Sequence, residues 1–526
     1  MSVTAEVEST SITSVFLDEC LHMFFERFIP TFPVLHRATF VFRECTHPLL
    51  LNAIALGSLY MGPKDAVAKG EALWRLSHTA IATSWQTMIK HRGPHDSCKG
   101  IQLVMTALLG QVYASLSRNR GLRTTSQIFH ALGFYWARHC GMFDIDTGTG
   151  SDIPAIDATP QEKEQIWHRW VAREIQRRIL LAHYILDGQI AQVSGDPTSV
   201  RHAANQLLLP SSEAAFAAET AEEWVQIMHT SSTLTTTFKD VFRSLFPRTT
   251  LSTPALTQYS ALSCRVILEG LQSLVSECDE NDNAAIGVPT RGEIRRALAQ
   301  FHTVITANQN IQNTAVETLE ILLRWHAICL DAATDSTRLA RHLCARYAMT
   351  QHIYGGGRGV ASSTSLGTSS SSALDLAAWC STPDARRCLL HAVAIQDIVE
   401  DLPRGRAHAI HMPTSLFAAA TVYAVFALQG RGTVLLPRQV EWRDVLFEDM
   451  DAAVILEELA GQGACSGTKR FVRGDSQIPE GGGRCSARNL LYDLNSMQKL
   501  FRCLSSQWGI AIEMEAVVDQ WIALCH

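Results

Sequence analysis

The chain lacks an apolar run long enough to cross a bilayer as a helix, which takes about 18 residues or more. Its longest candidate, 416–428, is too short, and no membrane span is expected. It lacks any Cys-x-x-Cys pair, and its 14 cysteines are scattered from Cys20 to Cys525, most of them inside helical apolar patterns. That spacing reads as buried reduced thiols rather than a disulfide framework or a zinc finger. It lacks a long basic run: 45 Lys and Arg face 51 Asp and Glu, for a net charge of −6. A surface that grips nucleic-acid phosphates carries a clustered basic surplus, so direct DNA binding by this chain alone is disfavoured. The opening residues are polar and acidic, so no secretory signal is expected, and the compartment read from the thiols is cytosol or nucleus. Period-two alternation of apolar and polar residues is almost absent, which argues against sheet-based folds.

What is present is apolar material in helical spacing. The 526 residues are 47% hydrophobic and 18% charged, enough for a large core and unlike a disordered chain. Leu17, Cys20, Leu21, Phe24, Phe25 and Phe28 recur at the three- and four-residue intervals of one wide helix face. Pro30 and Pro33 end that helix, because proline lacks the N–H and restricts its predecessor. The same spacing predicts helices over 48–60, 66–90, 99–117, 125–139, 160–190, 222–245, 254–276, 291–307 and 313–331. The fold class expected is all-α, a large multi-helix bundle or solenoid-like array with Gly/Ser insertions. Loops are expected at the Gly/Ser/Thr/Asp-rich stretch 144–159, at 355–372 with its GGGRG and serine run, and at 461–484. The organisation expected is a disordered start at 1–12, a main helical region at 13–354, a flexible insertion at 355–372, and C-terminal helices at 373–526 on the same core.

Two segments say more. Phe24 to Phe40 reads as a helix end running into a proline-fixed extended turn that contains Pro33, His36 and Arg37. Phe32, Val34 and Leu35 are placed to fold back on the aromatic face, and Ala38 to Phe40 to begin the next helix. Residue by residue, this is a corner between two core helices. The second segment holds Trp167, Trp170, Glu174, Arg177 and Arg178, with Asp187 farther along. On a helix, Trp167, Trp170, Val171, Glu174, Arg178, Leu181 and Ile185 share one face. A carboxylate and a guanidinium then sit among tryptophans. Buried charges must be paired, or desolvation costs several kcal/mol. Glu174 four residues before Arg178 is the better orientation for a helical ion pair. The structural reading is a buried, core-organising pair; the functional one is an acid or anion-binding arginine in a pocket. A lone ion pair on an apolar face favours the first.

As strings, both segments resemble the fungal-specific transcription factor domain. The Pro–hydrophobic–His–Arg–x–Thr–Phe turn resembles its opening. The Trp-x-x-Trp-x-x-x-Glu-x-x-Arg-Arg helix is similar to the branch usually attached to two-Cys-two-His zinc fingers. Weaker landmarks agree in order: Leu56-Gly57-Ser58, Ala137-Arg138, Gly195-Asp196-Pro197, Leu207 to Glu213, Trp325-His326, Pro413 with Leu416, and Trp508-Gly509.

The resemblance implies that 13–354 is a helical regulatory domain. It implies control of RNA polymerase II transcription of metabolic or secondary-metabolite genes in a fungal nucleus. Its signature residues, Pro33, His36, Arg37, Trp167, Trp170, Glu174, Arg177, Arg178 and Asp187, would be structural, with no catalytic residue. The partners implied are the transcription machinery or co-regulator proteins, a small-molecule effector, and a second copy of the chain as a homodimer. Relatives carry zinc in an N-terminal finger. Here the helical pattern starts at Thr13, so the chain is expected to lack the finger, to hold no cofactor, and to reach DNA only through a missing or partner-borne finger. The alternative is an all-α enzyme or ligand sensor acting on an apolar metabolite.

Other chemistries leave weak traces. His91, His95 and Cys98, and separately His408 and His411, have metal-like spacing but no matching ligand pair, and solvated loop histidines are the expected reading. Gly461 to Lys469 is glycine-rich but lacks the Gly-Lys-Ser/Thr ending of a phosphate loop, and Gly355 to Gly359 fails likewise. No Gly-x-Ser-x-Gly nucleophile turn is present. The acidic run Phe447 to Asp451 has no second acidic partner, so an exposed helix end is expected there.

Overall fold

A computed structural model describes residues 12–62, 64–144, 153–230, 236–246, 259–278, 287–308, 315–353, 374–403, 405, 407–447, 466–474 and 485–526. The stretch 355–372, nearly all of 1–12, and parts of 144–159, 461–484 and the acidic run beyond Phe447 lie outside these residues.

The fold is all-α. In chain order the helices are α1 Ser14–Met23, α2 His47–Ser58, α3 Lys64–Met88, α4 Ile101–Ser115, α5 Arg120–Phe129, α6 Leu132–His139 and α7 Pro160–Ser194. They continue with α8 Glu213–Ala217, α9 Ala221–Thr230, α10 Phe238–Ser244, α11 Ala261–Glu277, α12 Arg291–Ala307, α13 Ala315–Ala333 and α14 Ser336–Arg346. The last are α15 Leu376–Trp379, α16 Pro383–Asp401, α17 Met412–Leu428, α18 Trp442–Leu446, α19 Gly467–Arg473, α20 Leu490–Ser505 and α21 Ile510–Leu524. Among the described residues the only sheet is a two-stranded antiparallel clasp, β1 Thr433–Pro437 against β2 Cys485–Asn489, with Thr433 opposite Asn489.

The element that organises the N-terminal half is α7, 35 residues long. Thr159 caps it by accepting a hydrogen bond from Glu162 N at 3.3 Å, and Pro160 occupies its first turn, where a missing N–H costs nothing. Gly195, at φ 72°, ends it in the left-handed conformation that glycine adopts without strain. Helices α4 and α17 are apolar on nearly every side and are buried all round, as a helix with no polar face must be. One hydrophobic cluster runs from Phe24 to Ile522. Within it α7 packs on α11, α11 on α13, and α13 on α16 and α17.

Buried charges rivet these layers. Arg324 on α13 meets Glu269 on α11 with two bonds of 2.8 and 2.7 Å, and Gln192 on α7 at 2.6 Å. Arg265 and Glu320 pair at 3.0 Å one step away.

Three local expectations differ from the structure. Residues 125–139 form two helices, because Asn119 caps α5 six residues before the predicted start and the chain turns at His130 and Ala131. Residues 222–245 form α9 and α10. Ala38 to Phe40 do not start a helix: a single 3-10 turn, Phe42–Glu44, precedes α2. Helix α1 instead widens into a π turn, Phe24–Phe28, which stacks the Phe24 and Phe28 rings 5.4 Å apart before Pro30. Helices α1 and α2 cross at Gly57, where a Cβ would lie 1.8 Å from the Cys20 carbonyl oxygen, so only hydrogen fits. Among the described residues no helix is long and apolar enough to cross a membrane.

Candidate functional site

The proline turn after α1, the middle of α7 and the segment that leads into α8 meet at one corner. Glu174 and Arg178 are 1% and 0% exposed. Arg178 Nε donates to Glu174 Oε1 at 2.9 Å, and Arg178 Nη1 donates to Glu213 Oε2 at 2.8 Å and to the Pro33 carbonyl at 3.3 Å. Nη2 donates to the Ser211 carbonyl at 2.9 Å. The guanidinium lies 3.8 Å above the Phe216 ring, adding a cation–π contact. Glu174 accepts three more bonds, from Arg177 Nη1 at 2.7 Å, Ser211 N at 2.9 Å and Ser211 Oγ at 3.2 Å. Burial alone would raise the Glu174 carboxyl, but the Arg177 and Arg178 charges and these hydrogen bonds outweigh it and hold the pKa below its usual value. Burial likewise opposes the charge on Arg178, and the carboxylates of Glu213 and Glu174 outweigh it.

The neighbouring signature residues close the corner. His36 is buried, with Nε2 at 3.1 Å from the Ala218 carbonyl and Nδ1 at 3.0 Å from Thr39 Oγ1. Its ring meets Trp167 and Phe216 edge-on at 5.6 and 5.3 Å. Burial pushes its pKa down to about 4, so it is neutral. Trp170 is half-buried against Trp224, 5.3 Å away. Trp167 Nε1 and Arg177 Nε are buried with no hydrogen-bond partner. Arg37 is not part of the corner: it is 59% exposed and pairs with Glu26 on the surface.

Asp187 builds a separate node about 14 Å farther along α7, nine residues at 1.5 Å each. It accepts from Ser199 N at 3.0 Å, Ser199 Oγ at 2.7 Å and Val200 N at 3.4 Å, and it meets His202 at 3.2 Å and His130 at 3.1 Å. Burial works against its charge, and the bonds from His130, His202 and Ser199 win, so its pKa is lowered. Burial also works against a charged His130, and its bond to Asp187 wins, so that pKa is raised.

Of the cavities among the described residues, two lie wholly within the N-terminal half. The smaller, about 80 Å³, is lined by His36, Thr39, Glu44, Asp96 and His168, but by neither Glu174 nor Arg178. The His95 and His168 rings stack 5.7 Å apart beside it. Among the described residues no group of three His, Cys, Asp or Glu is placed to hold a metal. His411 is not the solvated loop histidine expected from sequence: it is 3% exposed, with Nε2 at 3.1 Å from the Glu320 carbonyl. The larger cavity, about 450 Å³, is a groove between α2, α3, α4, α5 and α6, lined by Asn52, Trp74, His78, Gln111, Phe129 and Trp136 among others. Sequence reasoning missed it. The signal was there in two amides, Asn52 and Gln111, inside largely apolar helices. It also missed the pairing of Glu213 with Arg178.

These landmarks match known proteins. The model of the fungal specific transcription factor domain matches residues 21–303, which include the corner, the Asp187 node and the groove. Zinc finger protein klf1 of Schizosaccharomyces pombe is 26% identical over 39% of this chain and 25% of its own length. The nicotinate catabolism cluster-specific transcription factor of Emericella nidulans is 25% identical over 51% of this chain and 29% of its own length. Each alignment thus covers less than a third of the relative. No solved structure matches. With more than half of its residues inside the matched region, the chain belongs to the fungal-specific transcription factor domain family.

Proposed function

We propose that this chain is the regulatory module of a nuclear transcription factor controlling RNA polymerase II transcription of metabolic or secondary-metabolite genes. It reaches DNA through a zinc finger, acts on the transcription machinery or co-regulator proteins, and is not an enzyme. The observation that carries this reading is the family match over 21–303 together with the closure of the signature corner. The charges an enzyme would use there are spent on each other and on backbone groups, and among the described residues the cavity beside the corner is lined by neither of them. The signature residues on α7 and the proline turn are, in this reading, structural. The helices before 354 and after 373 act as one regulatory body, a reading supported by the single apolar cluster they share. The relatives' names support the metabolic assignment: one is a cluster-specific factor for nicotinate catabolism.

The test fuses the full chain to a heterologous DNA-binding domain in a fungal reporter strain. The fusion is expected in the nucleus and should change reporter output relative to the DNA-binding domain alone. A stable, nuclear fusion that leaves the reporter unchanged would overturn the reading. The ligand-sensor alternative is favoured by one observation, the groove, and folds into the same proposal as its effector site.

A further inference from the structure

We propose that the groove between α2, α3, α4, α5 and α6 binds a neutral, flat aromatic metabolite that donates hydrogen bonds to Asn52 and Gln111. At about 450 Å³ it falls within the range of small-molecule sites, commonly about 300–1,000 Å³. Its walls are aromatic planes. Trp74 and His78 stack 5.0 Å apart at an angle of 8°, and Trp85 and Trp136 stack 6.3 Å apart at 26°. Such faces favour a flat ring over a branched aliphatic chain.

The inner wall supplies the polarity. Asn52 is 1% exposed; its Nδ2 donates to the Thr106 carbonyl at 2.8 Å, which leaves Oδ1 as a buried acceptor with no partner. Gln111 is 9% exposed, and its Oε1 is also buried without a partner. The backbone around them is already spoken for: Trp74 Nε1 donates to the Gly110 carbonyl at 2.7 Å, and Ser126 Oγ to the Gln111 carbonyl at 3.3 Å. Buried carbonyl oxygens are normally hydrogen-bonded, and Asn52 and Gln111, which both line the groove, each carry one without a partner. A ligand with two N–H or O–H groups supplies both.

The charge of the ligand follows from the lining. Among the described residues no Lys, Arg, Asp or Glu lines the groove, and burial pushes the His78 pKa down, which favours its neutral form. An anion or a cation would lose its hydration without gaining a partner. Access is from the rim, where Trp85, Phe129 and Leu132 are 37%, 44% and 36% exposed. Gly110 belongs to the same wall: a Cβ there would sit 2.7 Å from Asn52 Nδ2, so the absence of a side chain keeps the Asn52 amide in place.

The groove's use as an effector site rests on the transcriptional reading; the binding itself does not, because it is measured on the purified full chain. The probe is benzimidazolone, a neutral flat bicycle with two N–H donors. It is compared with N,N′-dimethylbenzimidazolone, which keeps the rings and loses both donors, and with benzimidazole carboxylate, an anion. Titration calorimetry should show one saturable site for benzimidazolone and affinities at least about tenfold weaker for the other two. Gln111→Met should weaken benzimidazolone about tenfold and leave the dimethyl probe unchanged. Phe129→Ala, at the rim, should weaken both neutral probes in parallel. Melting curves confirm that each variant is folded. The proposal is overturned by the absence of saturable benzimidazolone binding, by equal binding of the dimethyl probe, or by unchanged affinity in folded Gln111→Met and Phe129→Ala chains.

Discussion

At the Glu174–Arg178 corner the protein meets every polar atom of the ion pair with its own groups, whereas in the Asn52–Gln111 groove, built from the same kind of apolar helices, two amide oxygens are left unmet. Both regions bury polar atoms and both line an inner surface of the N-terminal half. The difference lies in where the compensation comes from. The ion pair is met from within the chain, although Trp167 Nε1 and Arg177 Nε beside it are not, and its charges hold the proline turn, α7 and the α8 segment in one arrangement. The groove leaves its two acceptors to a ligand.

That contrast sets opposite expectations for substitutions. The largest effect is expected from Arg178→Met, which leaves Glu174 buried with much of its compensation gone and should lower unfolding stability by about 3–5 kcal/mol in urea titrations. Asp187→Asn should cost about 1.5–3 kcal/mol, since several bonds to a buried carboxylate weaken at once. Arg37→Ala should cost less than about 1 kcal/mol, because its ion pair with Glu26 is largely exposed. Gln111→Met should cost nothing measurable or should stabilise slightly, because it deletes an acceptor that has no partner. A Gln111→Met chain as crippled as Arg178→Met would erase the distinction between the two regions.

The Asp187 node adds a pH axis. The raised pKa of His130 makes its contribution fully present below the unfolded value of about 6.5 and lost as pH rises through the higher folded value. The depressed pKa of Asp187 makes its contribution present above about 3.9 and lost as pH falls through the folded value. Comparing urea midpoints of the parent and His130→Gln should therefore show a larger gap near about pH 6 than near about pH 9. A gap that widens with rising pH would contradict the assignment.

Much of the framework was legible in the sequence because helical periodicity is a local signal. Predicted span 160–190 became α7, extended by one turn to the glycine that ends it, and 291–307 matched α12. The face shared by Trp167, Val171, Glu174 and Arg178 follows from spacing on one helix, so a buried pair there could be anticipated. What was not legible depends on contacts between distant segments. Glu213 reaches Arg178 across 35 positions, and Arg324 finds Glu269 and Gln192 on two other helices, pairings that no periodicity encodes. The groove draws its lining from five helices, and spacing along any one of them does not show that Trp74, Trp85 and Trp136 border the same space. The 125–139 span was read as one helix because apolar spacing continues across the turn at His130, while the cap that starts α5 lies upstream at Asn119.

The most direct test of the corner as closed scaffolding is a double-mutant cycle on Glu174→Gln and Arg178→Met, read by equilibrium urea unfolding. If the two charges exist to satisfy each other, the double variant loses clearly less stability than the sum of the single losses, with a coupling of at least about 1 kcal/mol. Additive losses, or an Arg178→Met chain that unfolds at the parent midpoint, would contradict it.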